Sequence, residues 1–255
     1  MRRFATARVV MALILREMST RYGRTPGGYI WSIIEPSAAI LVLSVGFSLV
    51  MRTPSLGSSF LLFYATGYLP FNLYLTVSGT VANSIGFSKP LLKYPAVTWV
   101  DAVLGRFLLN SLTSVLITLI LLSGILLVVN TRAIVDIPPL IQAMALSMIL
   151  ALGVGVLNCA LMGLFPIWVV IWSVVTRPLF LASGVIFIYD QLPPLAQEIL
   201  WYNPLIHITG LMRTGVYSMY APQYISQTYV MACGLITLTL GLILLGRFHR
   251  DILNR

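Results

Sequence analysis

His207 is the residue that most suggests catalysis, because it is one of only two histidines and two acids precede it in the same stretch. Together with Glu198 or Asp190, it could serve an intramembrane transferase. Neither His207 nor His249, however, stands with Ser, Cys or acidic residues in a catalytic arrangement, and a lone histidine in an amphipathic helix usually fills a polar position. We therefore assign no catalytic residue, and a transferase stays an alternative.

The sequence contains no recognisable motif for binding phosphate or a metal ion. It contains no GxxxxGK[ST] phosphate loop, and its only lysines, Lys89 and Lys93, lie in "GFSKPLLKYPAV" without a strand before them. This excludes ATP hydrolysis by that route. Cys159 and Cys233 fall inside apolar segments without a partner spacing, so we predict neither a disulfide nor a metal site.

One apolar segment, "FLLFYATGYLPFNLYL", carries a series of aromatic residues at steps of three and four, which places them on one helical face. Aromatic rings stack on the C–H faces of sugars while hydroxyls bind sugar rims, so the series could form the wall of a sugar conduit. Ordinary helix packing explains it equally well. The predicted wall consists of Phe60, Tyr64, Tyr68, Phe71 and Tyr74, with Trp201, Tyr202 and Arg177.

Arg177 is the most unusual charge in the sequence, because it stands near the middle of an apolar segment. An arginine exposed to lipid there costs about 2.5–3.5 kcal/mol on insertion scales, so it should face water or an acid. Glu35 is the only acid clearly inside another such segment. We consider both an Arg177–Glu35 pair and a polar conduit wall, which do not exclude each other.

The composition places these residues in a membrane protein. Of 255 residues, 58% are hydrophobic and 9% are charged, against roughly 25% charged residues in a soluble domain. The net charge of +9 does not indicate nucleic-acid binding, because the basic residues lie at the ends of apolar runs. We expect an all-α integral membrane fold.

Six segments are long enough to cross a hydrocarbon core, which takes about 20 residues of helix. We place them at about 29–51, 59–83, 103–129, 138–165, 167–189 and 224–246. With the N-terminus inside, the inner side collects eleven basic residues and the outer side three, namely Arg52, Arg132 and Arg213. This bias predicts that both termini are cytoplasmic.

Small residues recur every four positions in two of these segments, which predicts close helix packing. We expect them to form close helix–helix contacts, either within one chain or between two chains. The two series are Ala151, Gly155, Cys159 and Gly163, and Cys233, Thr237 and Gly241.

The stretch "LAQEILWYNPLIHITGLMRTGVY" is too polar to be a seventh span and too apolar for a solvated loop. Two short helices with a turn at Asn203 and Pro204, dipping into the outer leaflet over about 192–220, satisfy both demands if neighbouring spans shield the turn. Arg213 belongs to this predicted re-entrant pair. A helix pair lying on the surface is the alternative.

Residues 1–28 are expected to form an amphipathic helix along the membrane surface, with Met11 and Met18 on its apolar face and Arg16 and Glu17 elsewhere. A poorly ordered basic tail is the alternative. The inner loop at 84–101 is short, basic and bounded by proline, which suits a small helix that docks on a separate motor. The predicted coupling residues are Arg16, Arg21, Lys89, Lys93 and Tyr94.

Four motifs carry a family resemblance: "LREMSTRYGRTPGGYIWSIIEPSAAILV", "SKPLLKYPAV", "RPLFLASGVIFIYDQLPP" and "WYNPLIHITGLMRTGVY". In this order, over nearly the whole chain, they resemble the membrane subunit of ABC-2 type exporters. The chain is most similar to inner-membrane permeases that export capsular polysaccharide in Gram-negative bacteria. The first and last motifs are the most distinctive.

The resemblance implies a six-span transmembrane domain at 29–255 that forms a homodimer and pairs with two copies of a separate ATPase, which binds ATP and Mg. It also implies a lipid-linked polysaccharide as substrate, a periplasmic adaptor, an outer-membrane channel, and a re-entrant pair that lines the outer mouth of the conduit. Permeases for O-antigen and teichoic acid share the pattern of Asn203, Pro204 and Arg213, so these or another glycan are alternative substrates. An ABC-2 exporter of a drug or a small lipid is a separate alternative.

Overall fold

The computed structural model describes residues 5–22, 28–92, 94, 97–129 and 135–254. Within these ranges the regular structure is helical, as the composition predicts, and contains no strand. The helices are α1 (Ala5–Tyr22), α2 (Tyr29–Ser48), α3 (Phe60–Ala82), α4 (Ser84–Ser88), α5 (Trp99–Val128), α6 (Ile137–Leu164), α7 (Ile167–Ala182), α8 (Pro194–Leu200), α9 (Pro204–Thr214) and α10 (Gln227–Asn254).

Five of the described helices, α2, α3, α5, α6 and α10, are long and apolar enough to cross a membrane. The helix in the predicted fifth span, α7, has 16 residues and is therefore about 24 Å long, less than the hydrocarbon thickness of about 30 Å. It ends before the predicted boundary at residue 189 because Gly184 has a φ of 69°, a left-handed conformation that stops helices.

Helix α3 is central to the described fold, because it packs against α6 on one side and α5 on the other, with α2 and α9 also in contact. Its residues, together with those of α6, form most of the apolar core. The beginning of α5 is fixed by a capping box, in which the Thr98 and Asp101 side chains bind each other's backbone N–H groups.

The most extensive helix contact joins α6 and α10, and glycines make it close. A Cβ atom on Gly153 would collide with the Gly234 carbonyl oxygen, and one on Gly241 would lie 2.6 Å from the Leu157 nitrogen. Gly155 instead faces α3, where a Cβ would lie 2.8 Å from that of Val81. Of the predicted small residues, Gly241 therefore packs on α6 and Gly155 on α3, both within one chain, whereas Gly153 and Gly234 lie outside the two predicted series.

Helix α1 lies against α5. Met11 and Met18, which are expected on the apolar side of a helix along the membrane surface, are exposed, whereas Val10 and Glu17 are buried against the protein. The two helices are in ordinary van der Waals contact at Gly105, where a Cβ atom would lie 3.4 Å from that of Leu13. Sequence periodicity could not reveal this face because its central residue, Glu17, is charged.

Candidate functional site

A polar cavity of about 590 Å³ lies between α2, α3 and α5. Eleven of its eighteen lining residues carry hydroxyl, amide or charged side chains, although these helices are mainly apolar. Polar groups at membrane depth usually face a cavity and mark a substrate or ion pathway. The polar lining consists of Ser32, Glu35, Asn72, Thr76, Thr80, Asn83, Arg106, Asn110, Thr113, Ser114 and Thr118.

Helical spacing brings these groups together. On α3, Asn72, Thr76 and Thr80 follow one another at steps of four, and α5 repeats the spacing with Asn110, Ser114 and Thr118. Residues four apart lie on the same helix face, so each helix presents a row of polar groups to the cavity. The two rows are separate in sequence and meet only through the packing of α3 on α5.

Several of these polar groups are not used by the fold. Hydroxyls in helices commonly bond to a carbonyl one turn back, as Thr80 does to Thr76 and Thr113 does to Leu109, at 2.9 and 2.8 Å. Within the described part of the chain, six lining side chains have no hydrogen-bond partner. They are Ser32, Glu35, Asn72, Thr76, Ser114 and Thr118.

An ion pair closes the end of the cavity nearest α1 and α4. The Arg106 guanidinium lies 3.2 Å from the Glu17 carboxylate, and the two side chains are only 10% and 3% exposed. Arg106 also donates to the Asn83 carbonyl at 3.1 Å and lies 4.4 Å from the centre of the Phe87 ring. The Asn110 amide donates to Glu17 at 3.3 Å. This cluster fastens α1, α4 and α5 together.

One predicted coupling residue, Arg16, contacts this cluster. Arg16 on α1 lies over the Phe87 ring of α4 at 5.5 Å, Lys89 directly follows α4, and Tyr94 is 64% exposed. Lys93 and the side chain of Arg21 lie outside the described residues. The structure thus brings Arg16 to α4 and leaves Tyr94 uncovered.

The predicted aromatic wall lies largely inside the chain. Tyr64, Phe71 and Tyr74 are buried, while Phe60 and Tyr68 are partly covered. Their neighbours are other aromatic rings: Phe60 stacks on Tyr64, and Phe71 meets Phe180 of α7 edge-on, with ring centres 5.4 Å apart. In this arrangement the series joins α3 to its neighbours, which matches the helix-packing alternative.

Arg177 and Glu35 are not brought together. Both are exposed, Arg177 on α7 and Glu35 on α2 at the polar cavity. No ion pair joins them in the structure as described, where both residues are placed. No residue of α7 is buried by the described chain, so the face that carries Arg177 is left uncovered.

The turn between α8 and α9 depends on Asn203. Its side-chain oxygen accepts from the Leu205 backbone N–H at 3.1 Å and caps α9, while its amide donates to the Ala182 carbonyl at 2.9 Å. One side chain thereby provides hydrogen-bond partners for a backbone N–H at the start of α9 and for a backbone carbonyl at the end of α7. Pro204 occupies the first position of α9, where its missing N–H has no consequence.

His207 has a structural environment. Its Nε2 donates to the Trp201 carbonyl at 2.8 Å, and its Nδ1 accepts from the Ser226 backbone N–H at 3.2 Å, which fixes a neutral ring. Both nitrogens are occupied by backbone groups and neither bonds to Glu198 or Asp190. This geometry disfavours the transferase role. Beside it lies a second cavity of about 730 Å³, lined by Trp201 and Tyr202 with Tyr189, Pro194, Gln197, Glu198 and Ile199.

Arg213 is the largest fully buried side chain in the described chain, at 1% exposure. It donates to the carbonyls of Phe187 and Val185, at 2.8 and 3.1 Å, and lies 4.4 Å from the centre of the Phe63 ring. Arg213 therefore fastens the segment after α7 to α3 and α9. In the adjacent loop, burial raises the pKa of Tyr217 to about 12, and the Arg213 charge opposes that shift.

Sequence reasoning missed the polar cavity and the Glu17–Arg106 pair. The four-residue spacing of polar groups, such as Asn72, Thr76 and Thr80, is visible in the sequence and could have predicted one row. The ion pair joins residues 89 positions apart, and no local pattern connects them.

The chain is similar in sequence to several known transport proteins over nearly its whole length. The chain is 30% identical over 235 residues to the polysialic acid transport protein KpsM of Escherichia coli, which covers 92% of this chain and 91% of KpsM. It is 26% identical over 245 residues to the capsule polysaccharide export inner-membrane protein CtrC of Neisseria meningitidis, and 28% over 246 residues to the capsule polysaccharide export inner-membrane protein BexB of Haemophilus influenzae. Both alignments cover 96% of this chain and 92% of the relative.

A family model described as "ABC-2 type transporter" matches residues 8–217, which is most of the chain and includes every helix from α2 to α9. The resemblance carried by the sequence motifs is thereby confirmed. The chain belongs to the ABC-2 type transporter family.

Proposed function

We propose that this chain is the membrane permease subunit of an ATP-driven exporter, which moves a lipid-linked capsular polysaccharide from the cytoplasm to the periplasm. The observation that carries the proposal is the near full-length match to three relatives named for polysialic acid transport or capsule polysaccharide export. The polar cavity at membrane depth is in keeping with a hydrophilic cargo.

The energy source in this proposal is a separate ATPase, two copies of which bind ATP and Mg. We place its docking surface on α1, on α4 and on the loop with Lys89, Lys93 and Tyr94. The cluster of Glu17, Arg106 and Phe87 supports this choice, because it joins both helices to α5 and would transmit a force from them. Further partners are a periplasmic adaptor and an outer-membrane channel.

The proposed assembly is a homodimer, and α7 supplies the argument for it. An apolar helix with an arginine at its centre and no residue buried within the chain needs a covering surface other than lipid. A second copy of the chain could provide that surface, with Arg177 facing the space between the copies. Trp201 and Tyr202, beside the second cavity, would then lie at the outer mouth.

The proposed topology has α7 as a sixth, short span and both termini in the cytoplasm. Helices α8 and α9 have 7 and 11 residues, about 10 and 16 Å, so neither can cross the membrane and the pair would dip into the outer leaflet. A cysteine replacing Gln197 should react with an impermeant thiol reagent in spheroplasts, and one replacing Arg250 should not. Labelling of position 250 would overturn this topology.

Deletion of the gene in its own host tests the function itself. We expect capsular polysaccharide to accumulate in the cytoplasm and to disappear from the surface, with recovery on complementation. Immunoblots of surface and cytosolic fractions measure both. If surface capsule is unchanged while O-antigen, teichoic acid or a small lipid is lost, the corresponding alternative replaces this proposal.

A further inference from the structure

We propose that the cavity between α2, α3 and α5 binds sugar residues of the exported glycan through their hydroxyl groups. This inference rests on the proposed function, because it identifies where in the permease the cargo makes contact. It differs from the conduit expected from the sequence, whose aromatic residues Tyr64, Phe71 and Tyr74 are buried between helices of one chain.

The first argument is the position and size of the cavity. Its lining runs along α3 from Leu69 to Asn83, and 14 residues of helix rise about 21 Å, most of the distance across a hydrocarbon core of about 30 Å. A volume of about 590 Å³ lies within the usual range for ligand sites, which is roughly 300–1,000 Å³. The cavity is therefore large enough for part of a chain of sugars.

The second argument is the hydrogen-bonding capacity that the fold leaves unused. Thr118 is 2% exposed and Ser114 is 8% exposed, yet neither hydroxyl has a partner within the described residues. The same holds for Thr76 and for the amide of Asn72. Buried polar groups are almost always satisfied, so the unused hydroxyls of the two buried residues, Ser114 and Thr118, indicate a polar occupant of the cavity, and the half-buried Thr76 and Asn72 line the same space. Sugar hydroxyls match them because both sides can donate and accept.

The third argument is charge, which favours neutral sugar rims over an anionic headgroup. Arg106 is the one basic residue among the eighteen lining residues, all of which the structure describes. It is already engaged by the Glu17 carboxylate, the Asn83 carbonyl and the Phe87 ring. At the α2 wall the cavity presents a carboxylate, Glu35, which would repel phosphate. Neutral sugar hydroxyl groups are compatible with both the engaged Arg106 and the carboxylate of Glu35.

A site-specific photocrosslink tests the inference directly. The photoreactive residue p-benzoylphenylalanine replaces Ile117, which lines the cavity, or Leu119, which lies on the same helix but is exposed. Each variant is expressed in the capsulated host with the complete exporter and irradiated. We expect an adduct that anti-capsule antibody and sugar analysis identify as glycan, at position 117 and not at 119.

Hydroxyl deletions then test the contacts. In the Ile117 crosslinking background, Thr118→Val and Ser114→Ala should each reduce glycan adduct about fivefold, the usual net effect of one lost hydrogen bond. The matched controls are Thr239→Val on α10 and Ser123→Ala on α5, whose hydroxyls bond to their own helix away from the cavity. The controls should leave adduct yield unchanged. Equal membrane yield of all variants excludes a folding defect.

Three results would overturn the inference while export still depends on the chain. They are the absence of adduct at position 117, an adduct containing phospholipid without sugar, and equal glycan adduct at positions 117 and 119. If capsule export does not depend on the chain at all, the proposed function fails and this site fails with it. The deletion strain distinguishes the two cases.

Discussion

Replacing Glu17 by glutamine removes the charge that holds α1 against α5. The carboxylate and the Arg106 guanidinium are 3.2 Å apart and almost fully buried, so the substitution leaves a buried arginine without its counter-ion. Breaking such a pair from one side costs about 3–5 kcal/mol. Because glutamine can still accept from Asn110 and Arg106 keeps the Asn83 carbonyl, we take the lower value.

A loss of about 3 kcal/mol corresponds to roughly a 150-fold larger population of chains with α1 detached. A buried thiol reports this population. In a background without Cys159 and Cys233, Val10→Cys places a thiol on the covered face of α1. When detachment is fast and reversible, the rate of maleimide alkylation follows the open population. Glu17→Gln should therefore accelerate alkylation of purified protein about 150-fold.

Two further variants make this experiment decisive. Arg8 is an exposed charge on the same helix, and Arg8→Gln should change the rate less than about twofold. Glu17→Gln with Arg106→Met removes both charges and should recover most of the protection, since paired removal is often nearly neutral. An alkylation rate in Glu17→Gln equal to that of the parent would refute the role of the ion pair.

The remaining predictions concern packing. Arg213→Met leaves the buried Val185 carbonyl and the partly buried Phe187 carbonyl without their donor, so it should lower the free energy of unfolding in detergent by about 2–5 kcal/mol, measured by tryptophan fluorescence. Arg52→Met, at an exposed residue, should have little effect, and equal stability of the two variants would contradict the role of Arg213 as an anchor. Gly153→Ala should separate α6 from α10 and lower the melting temperature of the protein. Gly246→Ala is the control, because open space surrounds Gly246, and it should not lower the melting temperature. Equal melting temperatures of the two variants would contradict the close contact at Gly153.

Helix positions follow closely from the sequence where one physical rule acts alone. Long apolar runs gave α3 and α6 to within one residue at each end, at 60–82 and 137–164 against the predicted 59–83 and 138–165. The fifth segment ended earlier than predicted because hydropathy does not register a left-handed glycine such as Gly184. A scale of transfer energies sums side chains and ignores backbone conformation.

The candidate site was harder to predict because the sequence shows which residues are polar or aromatic, but only the tertiary structure shows which residues they contact. The spacing of Tyr64, Phe71 and Tyr74 correctly places them on one face of α3, but it does not identify what covers that face. Likewise, Arg213 has a position that hydropathy assigns to an outer turn, yet its carbonyl acceptors lie more than twenty residues earlier in the chain. Local sequence patterns therefore predict which residues share a helix face, whereas the residues that contact this face depend on how the helices pack.

The glycine seam between α6 and α10 also sets an order on biosynthesis. Gly153 makes its close contact with Gly234, which the ribosome adds 81 residues later. Until then, the side of α6 that carries Gly153 has no covering helix, because α3 packs on the side that carries Gly155. A nascent chain stalled before α10 is consequently a half-assembled membrane protein, whose open seam distinguishes it from the finished permease for the proteases that remove incomplete chains.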